Sequence, residues 1–196
     1  DVLGQLHFQA PDEGAGTDAI LVAAGIAAIS EGDFSASNNA TKLSFQTGAS
    51  EAATEKMSLS SVGSLHLTGT ATTNQLKIEN SDGGTASAPD LVLFRNSASP
   101  ADADALGRIH FRGKTDSGAE ANYSYIYTEA TDVTNGSEDG TMYIGGLING
   151  ADRSWITLYG SSIVLNQDGN DMDLRVESDD NQYGLFMEGS TGNVCI

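Results

Sequence analysis

The chain states one pattern twice. Leu3-Gly4-Gln5-Leu6-His7-Phe8 returns as Leu106-Gly107-Arg108-Ile109-His110-Phe111, and the residues after each copy also run in parallel. Thr41-Lys42-Leu43-Ser44-Phe45 corresponds to Gly140-Thr141-Met142-Tyr143-Ile144, and Met57-Ser58-Leu59 to Ile156-Thr157-Leu158. Leu65-His66-Leu67 corresponds to Ile163-Val164-Leu165, and Gln75-Leu76-Lys77-Ile78-Glu79 to Asp173-Leu174-Arg175-Val176-Glu177. Self-similarity whose register drifts this little predicts a duplicated structural unit. It points to an array of modules and away from a single catalytic pocket.

The repeated segments alternate apolar and polar residues, as strands with one buried face do. Gln5-Leu6-His7-Phe8, Lys42-Leu43-Ser44-Phe45, Ser64-Leu65-His66-Leu67, Leu76-Lys77-Ile78, Arg108-Ile109-His110-Phe111 and Leu174-Arg175-Val176 all follow period two. Met142-Tyr143-Ile144 joins them if its tyrosine faces outward. Leu91-Val92-Leu93-Phe94 is a continuous apolar run, which predicts a strand buried on both faces. Asp82-Gly83-Gly84, Asn135-Gly136, Asp139-Gly140, Asn149-Gly150, Asp168-Gly169 and Gly192-Asn193 punctuate these runs with residues that tolerate positive φ. Ala19 to Ile29 is alanine-rich, but Gly25 and the β-branched Ile20, Val22, Ile26 and Ile29 weaken a helix there. Its counterpart Asn122-Tyr123-Ser124-Tyr125-Ile126-Tyr127-Thr128 is strand-like, so both are read as strands. The fold class is all-β, built of tandem antiparallel modules.

Four segments follow. Residues 1–69 and 106–169 are the first and second large β modules, the second repeating the first. Residues 70–105 and 170–196 are smaller leucine-led β segments, the former ending in a linker from Ser97 to Ala105 around Pro100. Ser35 to Ala40 and Gly48 to Glu55 read as exposed loops.

The apolar inventory is thin for such a chain. Leu, Ile, Val and Phe together supply about 21 % of the residues, close to the ~20 % at which highly charged chains lose their fold. Regular alternation argues against disorder, which has no reason to keep period two. The strands are therefore expected to complete their core against other copies of the chain.

A formal charge of -18 with only nine Lys and Arg argues against affinity for phosphate backbones and anionic membranes, so neither nucleic acid nor membrane insertion is expected. The acid excess is read first as a solubilising surface. No apolar run approaches the ~20 residues of a membrane span. Cys195 is alone, so no intrachain disulfide forms. The chain starts and stops in mid-pattern, which reads as a piece of something longer.

Candidate chemistry is sparse. His7 and His110 occupy the same repeat position and His66 lies within a strand, without a nucleophile nearby; a structural role is expected, pointing outward or hydrogen-bonding across strands. Asn166, Asp168, Asn170 and Asp171 place oxygens around Gly169 as a calcium loop would, but no glutamate closes the loop and no helices flank it. A solvated hairpin turn between Leu165 and Leu174 is the preferred reading, with Asp179-Asp180-Asn181 a weaker version of the same pattern. Tyr123, Tyr125 and Tyr127 share one face of an extended segment, either as a packed ladder or as a platform for sugar rings; packing is preferred. Trp155, the single tryptophan, is expected to anchor an interface, together with Leu6, Phe8, Ile109 and Phe111 on the faces opposite the histidines. Nucleotide-binding glycine loops, nucleophile elbows and metal-spaced Cys/His sets are absent from the sequence. A glycosidase carboxylate pair is disfavoured without a preorganised pocket, and no enzymatic activity is expected.

Leu106-Gly107-Arg108-Ile109-His110-Phe111, Tyr125-Ile126-Tyr127-Thr128 and Gly140-Thr141-Met142-Tyr143-Ile144 resemble repeated modules of tail-fibre and related structural proteins of marine tailed bacteriophages. Leu76-Lys77-Ile78-Glu79-Asn80 and the closing Gly189-Ser190-Thr191-Gly192-Asn193-Val194 are similar to them as well, although Cys195 stands where those modules carry glycine. The resemblance implies an extracellular virion component: an elongated, intertwined homotrimeric fibre that contacts other virion proteins and a host surface glycan or protein receptor. It carries over no catalytic residues. The alternatives are a bacterial cell-surface adhesin or secreted filament subunit, stiffened by calcium, and then a β-helical polysaccharide-degrading enzyme.

Overall fold

The computed structural model describes residues 1–9, 20–70, 72, 74–85, 88–176, 179, 185–187, 190–192 and 194–195. The chain divides into two compact units, Asp1–Asp90 and Leu91–Ile196. Among the described residues there is no helix, and hence none long and apolar enough to cross a membrane. The fold class is all-β, and every strand pair is antiparallel.

In the first unit β1 (Val2–Gln9), β2 (Val22–Ser30), β3 (Thr41–Thr47), β4 (Thr54–Leu59) and β5 (Leu65–Leu67) form a five-stranded meander in sequence order. In the second, β6 (Asp104–Lys114), β7 (Glu120–Asp132), β8 (Asp139–Ile148), β9 (Ala151–Leu158) and β10 (Ile163–Leu165) do the same. A separate small sheet contains β11 (Leu174–Val176), β12 (Leu185–Met187) and β13 (Val194–Cys195). Short connections between strands leave the meander as the simplest pairing, since consecutive antiparallel strands need only a turn. Asn149 and Gly150 make one such turn with φ of 51° and 77°, the left-handed pair that a two-residue hairpin between β8 and β9 requires.

Alternation along each strand sorts the side chains into two faces. Across the first sheet Leu6 pairs with Ile26, Ile26 with Phe45, Phe45 with Met57 and Met57 with Leu67. Across the second the same row reads Ile109, Ile126, Ile144, Ile156 and Leu165. These rows lie where a core would be expected, yet no member is buried: Leu6 is 55 % exposed, Ile109 41 % and Leu165 43 %, and the inner Phe45, Ile126, Ile144 and Ile156 are only half-buried. The opposite faces are the closed ones. Ser44 and Thr157 are fully buried, and Ala27, Ser58 and Thr141 nearly so. Among the described residues the only buried hydrophobic side chains are Ala27 and Ala130. One layer of sheet cannot cover both its faces, and here it is the apolar face that lacks a cover.

Several expectations are corrected. Leu91–Phe94 is not a strand, and all four side chains are exposed, from 51 % for Leu93 to 78 % for Phe94. A strand buried on both faces needs neighbours on both edges; this segment instead touches β6 through Leu93, whose side chain lies over Gly107, and through the adjacent Arg95, which pairs with Asp104 at 2.9 Å and donates to the Ala105 carbonyl. Leu76-Lys77-Ile78 forms no strand either, so among the described residues 70–103 the small β segment is absent. Asp139-Gly140 is not a turn but the start of β8. The Ala19–Ile29 reading holds as β2 from Val22 onward; Ala19 lies outside the described residues.

Candidate functional site

On the closed face of the second sheet two cross-strand rows stand side by side. The first runs Arg108, Tyr127, Tyr143, Thr157. The Arg108 guanidinium lies 4.3 Å from the centre of the Tyr127 ring, and Tyr127 stacks on Tyr143 at 5.5 Å with 17° between the planes. A positive plane over an aromatic face followed by an offset stack is favourable at both contacts, by about 0.5–1.5 kcal/mol each. Both phenols end on one carboxylate: Tyr127 donates to Glu129 Oε2 at 2.9 Å and Tyr143 to Oε1 at 2.7 Å.

The second row runs His110, Tyr125, Gly145, Ser154. His110 Nδ1 lies 2.9 Å from Asn122 Oδ1, the expected cross-strand bond. Tyr125 reaches over Gly145, where a side chain would come within 2.6 Å of its hydroxyl oxygen. Burial pushes the Tyr125 phenol up to about 12, aided by its hydrogen bond to the Asp152 carboxylate. Burial also raises Tyr143 to about 12, with the Glu129 carboxylate adding to it. A phenolate at either place would lose water and face a negative neighbour.

Between the rows lies a concavity of about 350 Å³, bounded by Arg108, Tyr125, Tyr127, Tyr143, Asp152 and Arg153, with Asp168 at its rim. A bulge in β7, where Phe111 pairs with Ser124 but Arg112 with Asn122, turns Asn122 into the concavity and leaves Tyr123 out. Tyr123 instead packs beside Gly113 and donates to the Lys114 carbonyl at 3.2 Å. The three-tyrosine stripe is thus two tyrosines, joined by Tyr143 from the neighbouring strand. Sequence alternation placed Tyr125 and Tyr127; Tyr143, Asp152 and Arg108 needed the register between strands.

Leu6, Phe8, Ile109 and Phe111 all lie on the open apolar faces of their sheets, each more than 40 % exposed. Trp155 is the bulged residue of β9, between Ile156 opposite Ile144 and Ser154 opposite Gly145. Its ring occupies the space over Gly146, where a Cβ would come within 2.8 Å.

The 166–171 segment folds back on its own oxygens. Asn166, at φ 59°, accepts from the Asn170 N–H at 2.9 Å and donates to the Asn170 carbonyl at 2.7 Å. Asn170 Oδ1 accepts from Arg153 Nε at 2.9 Å, and Asp168 Oδ2 from the Ser154 N–H at 2.6 Å. Three of the four candidate residues therefore spend side-chain oxygens on the protein, and among the described residues no three His, Cys, Asp or Glu side chains converge on one point. The turn does not join a hairpin: β10 pairs with β9 and β11 with β12. Asp180 and Asn181 lie outside the described residues, as do Gly189 and Asn193 of the closing motif.

Comparison of the chain with protein-family models, with curated proteins and with solved structures returns no match.

Proposed function

We propose that this chain is a structural component of a tailed-phage virion, a fibre module that assembles as a homotrimer and serves host attachment. One observation carries the assembly: among the described residues no large apolar side chain is fully buried, many are exposed, and the buried side chains are Ala, Ser and Thr. Covering a Leu, Ile or Phe is worth roughly 1.5–3 kcal/mol each, and contiguous apolar faces of this kind mark protein contacts. The two sheets offer the same row of apolar residues, so tandem modules can meet sister modules through one kind of contact. Threefold closure turns these rows inward and the polar faces to solvent, a closed symmetry that leaves no repeating sticky surface. The -18 charge then keeps the outside soluble. Attachment, the virion setting and the number three rest on the resemblance of the repeated motifs to tail-fibre modules.

Light scattering on the purified chain, with negative-stain imaging of the same sample, tests the reading. A three-chain mass in a rod-like particle is the expected result. A stable monomer overturns the assembly, and an open series of head-to-tail masses favours a filament subunit.

A further inference from the structure

We propose that the concavity on β6–β9 is a binding site for a neutral, polyhydroxylated ligand, a terminal sugar of an uncharged glycan. The proposal rests on the attachment half of the function above and not on its assembly half. Where the second sheet has Arg108, Tyr127 and Tyr143, the first sheet carries Gln5, Ala27 and Ser44 at the same register. Those small residues close that face well, with Ser44 fully buried and Ala27 nearly so.

In the next row His7, Gly25 and Gln46 become His110, Tyr125 and Gly145, so the glycine and the large residue have exchanged strands. In the first sheet Gln46 and His7 crowd Gly25. In the second, Tyr125 lies over Gly145 and the space above opens. The same strand register thus forms without aromatic groups here, and their presence lines a hollow instead of filling one.

The charges select the ligand. Arg108 and Arg153 balance Asp152 and Asp168, so the hollow is formally neutral within a chain of -18. An anionic ligand would be repelled by the chain as a whole, and a cationic one would meet two guanidinium groups. Sugar hydroxyls, each donor and acceptor, suit the capacity that remains. Asp168 accepts from Ser154 through Oδ2, and among the described residues its Oδ1 has no hydrogen-bond donor. Asn122 engages His110 through its oxygen, which leaves its amide nitrogen to donate. Arg108 makes no ion pair among the described residues, and its plane is already held by Tyr127. Tyr125 adds an aromatic surface beside these groups, the combination of one apolar wall and a few fixed polar groups that small-ligand sites use.

The test is titration of the full chain with neutral oligosaccharides of glucose, galactose and N-acetylglucosamine, and with a hexuronate oligosaccharide, followed by amide chemical shifts. A neutral member should bind and move the amides of Gly145 and Ser154 while leaving Gly25 unmoved. Tyr125→Ala and Arg108→Ala should each weaken it at least tenfold, and Gln5→Ala should not change it. If an alanine variant misfolds, the wild-type shifts decide. Binding of the hexuronate alone, no neutral binder, or shifts confined to other residues overturns the site. The oligomeric mass of the same samples keeps the readings apart: a trimer that binds no neutral sugar sinks the site alone, and a monomer that binds one sinks the assembly alone.

Discussion

Tyr125 and Gly145 are cross-strand partners, and the end of the phenol ring occupies the space that any side chain at position 145 would claim. A Cβ there would also stand 2.4 Å from the Arg153 carbonyl. Gly145→Ala is therefore expected to destabilise the second unit by about 1–3 kcal/mol, the usual cost of forcing atoms into a filled place. Urea unfolding measures it. Combining it with Tyr125→Ala should recover only part of the loss, because the clash with the backbone at Arg153 stays; full recovery would mean that the ring alone sets the constraint.

The raised phenols make an alkaline signature. Tyr125 and Tyr143 both sit near 12 against an ordinary 10.0. A group whose folded value is raised contributes stability in full below its unfolded value and loses it as pH climbs through the folded one. Stability should thus decline between about pH 10 and pH 12, and ultraviolet titration should show Tyr125 and Tyr143 ionising late. Tyr125→Phe and Tyr143→Phe should each delete one late step. Late steps that persist unchanged in both phenylalanine variants would contradict the arrangement.

The acid side carries a smaller effect from Glu55, whose carboxyl is held below its ordinary 4.5 first by the Lys42 hydrogen bond and then by Ser44. Lys42 Nζ lies 2.8 Å from Glu55 Oε2, and both side chains keep about 30 % of their surface. A depressed carboxyl stabilises the fold above its unfolded value, and that contribution fades as pH falls through the folded value. Glu55→Gln should cost about 0.5–1 kcal/mol at pH 7 and nothing below the folded value, after allowance for solvent screening. Thermal melts of both proteins from pH 7 to pH 3 check this; parallel curves across the range would exclude the pair as the cause.

Alternation reads most strands of both meanders, because period two and strand length are local properties, and the correspondence between the two copies supplies Ala19–Ile29, Ile156–Leu158 and Ile163–Leu165. The Asn149-Gly150 turn was legible for the same reason. Leu91–Phe94 was not, since a continuous apolar run says that two faces are hydrophobic but not whether any strand lies alongside. The concavity needed information that one strand does not hold. Tyr143 joins Tyr127 only through the β7–β8 register, and the bulge at Arg112 and Asn122, which removes Tyr123, leaves no mark in the sequence. Asp139-Gly140 failed as a turn because the same dipeptide also suits a strand start when the preceding loop supplies the bend.

The exposed rows predict a position-specific effect on assembly. Ile109→Asp and Leu6→Asp put a charge at equivalent places in the two apolar rows, where each side chain is already open to solvent in the single chain. Folding of a single copy should therefore change little, while association should weaken by more than about 2 kcal/mol per site, roughly thirtyfold in the dissociation constant. Sedimentation measures the second and circular dichroism the first. A charge placed instead at Gln5, on the opposite face, should leave the mass unchanged. Equal effects at Leu6 and Gln5 would deny that one face makes the contact.

Trp155 joins the local and the assembly arguments. Its ring rests over Gly146, and the bulge that holds it shifts the β8–β9 register between Ile144, opposite Ile156, and Gly145, opposite Ser154. Removing the ring exposes the backbone of β8 at Gly146 and deletes the largest side chain beside the Ile144–Ile156 row. Two losses should follow from Trp155→Ala. The second unit loses packing within one chain, of the order of 1–2 kcal/mol for a half-buried aromatic against the 3–5 kcal/mol of a fully buried one. The assembly loses an anchor of the kind that concentrates binding energy in few residues. Concentration dependence separates them: a melting temperature lowered equally at all protein concentrations reports packing alone, whereas a shift that grows on dilution reports the interface. The expected result is the second pattern, and Trp155→Phe, which keeps a ring over Gly146, should fall between the two proteins.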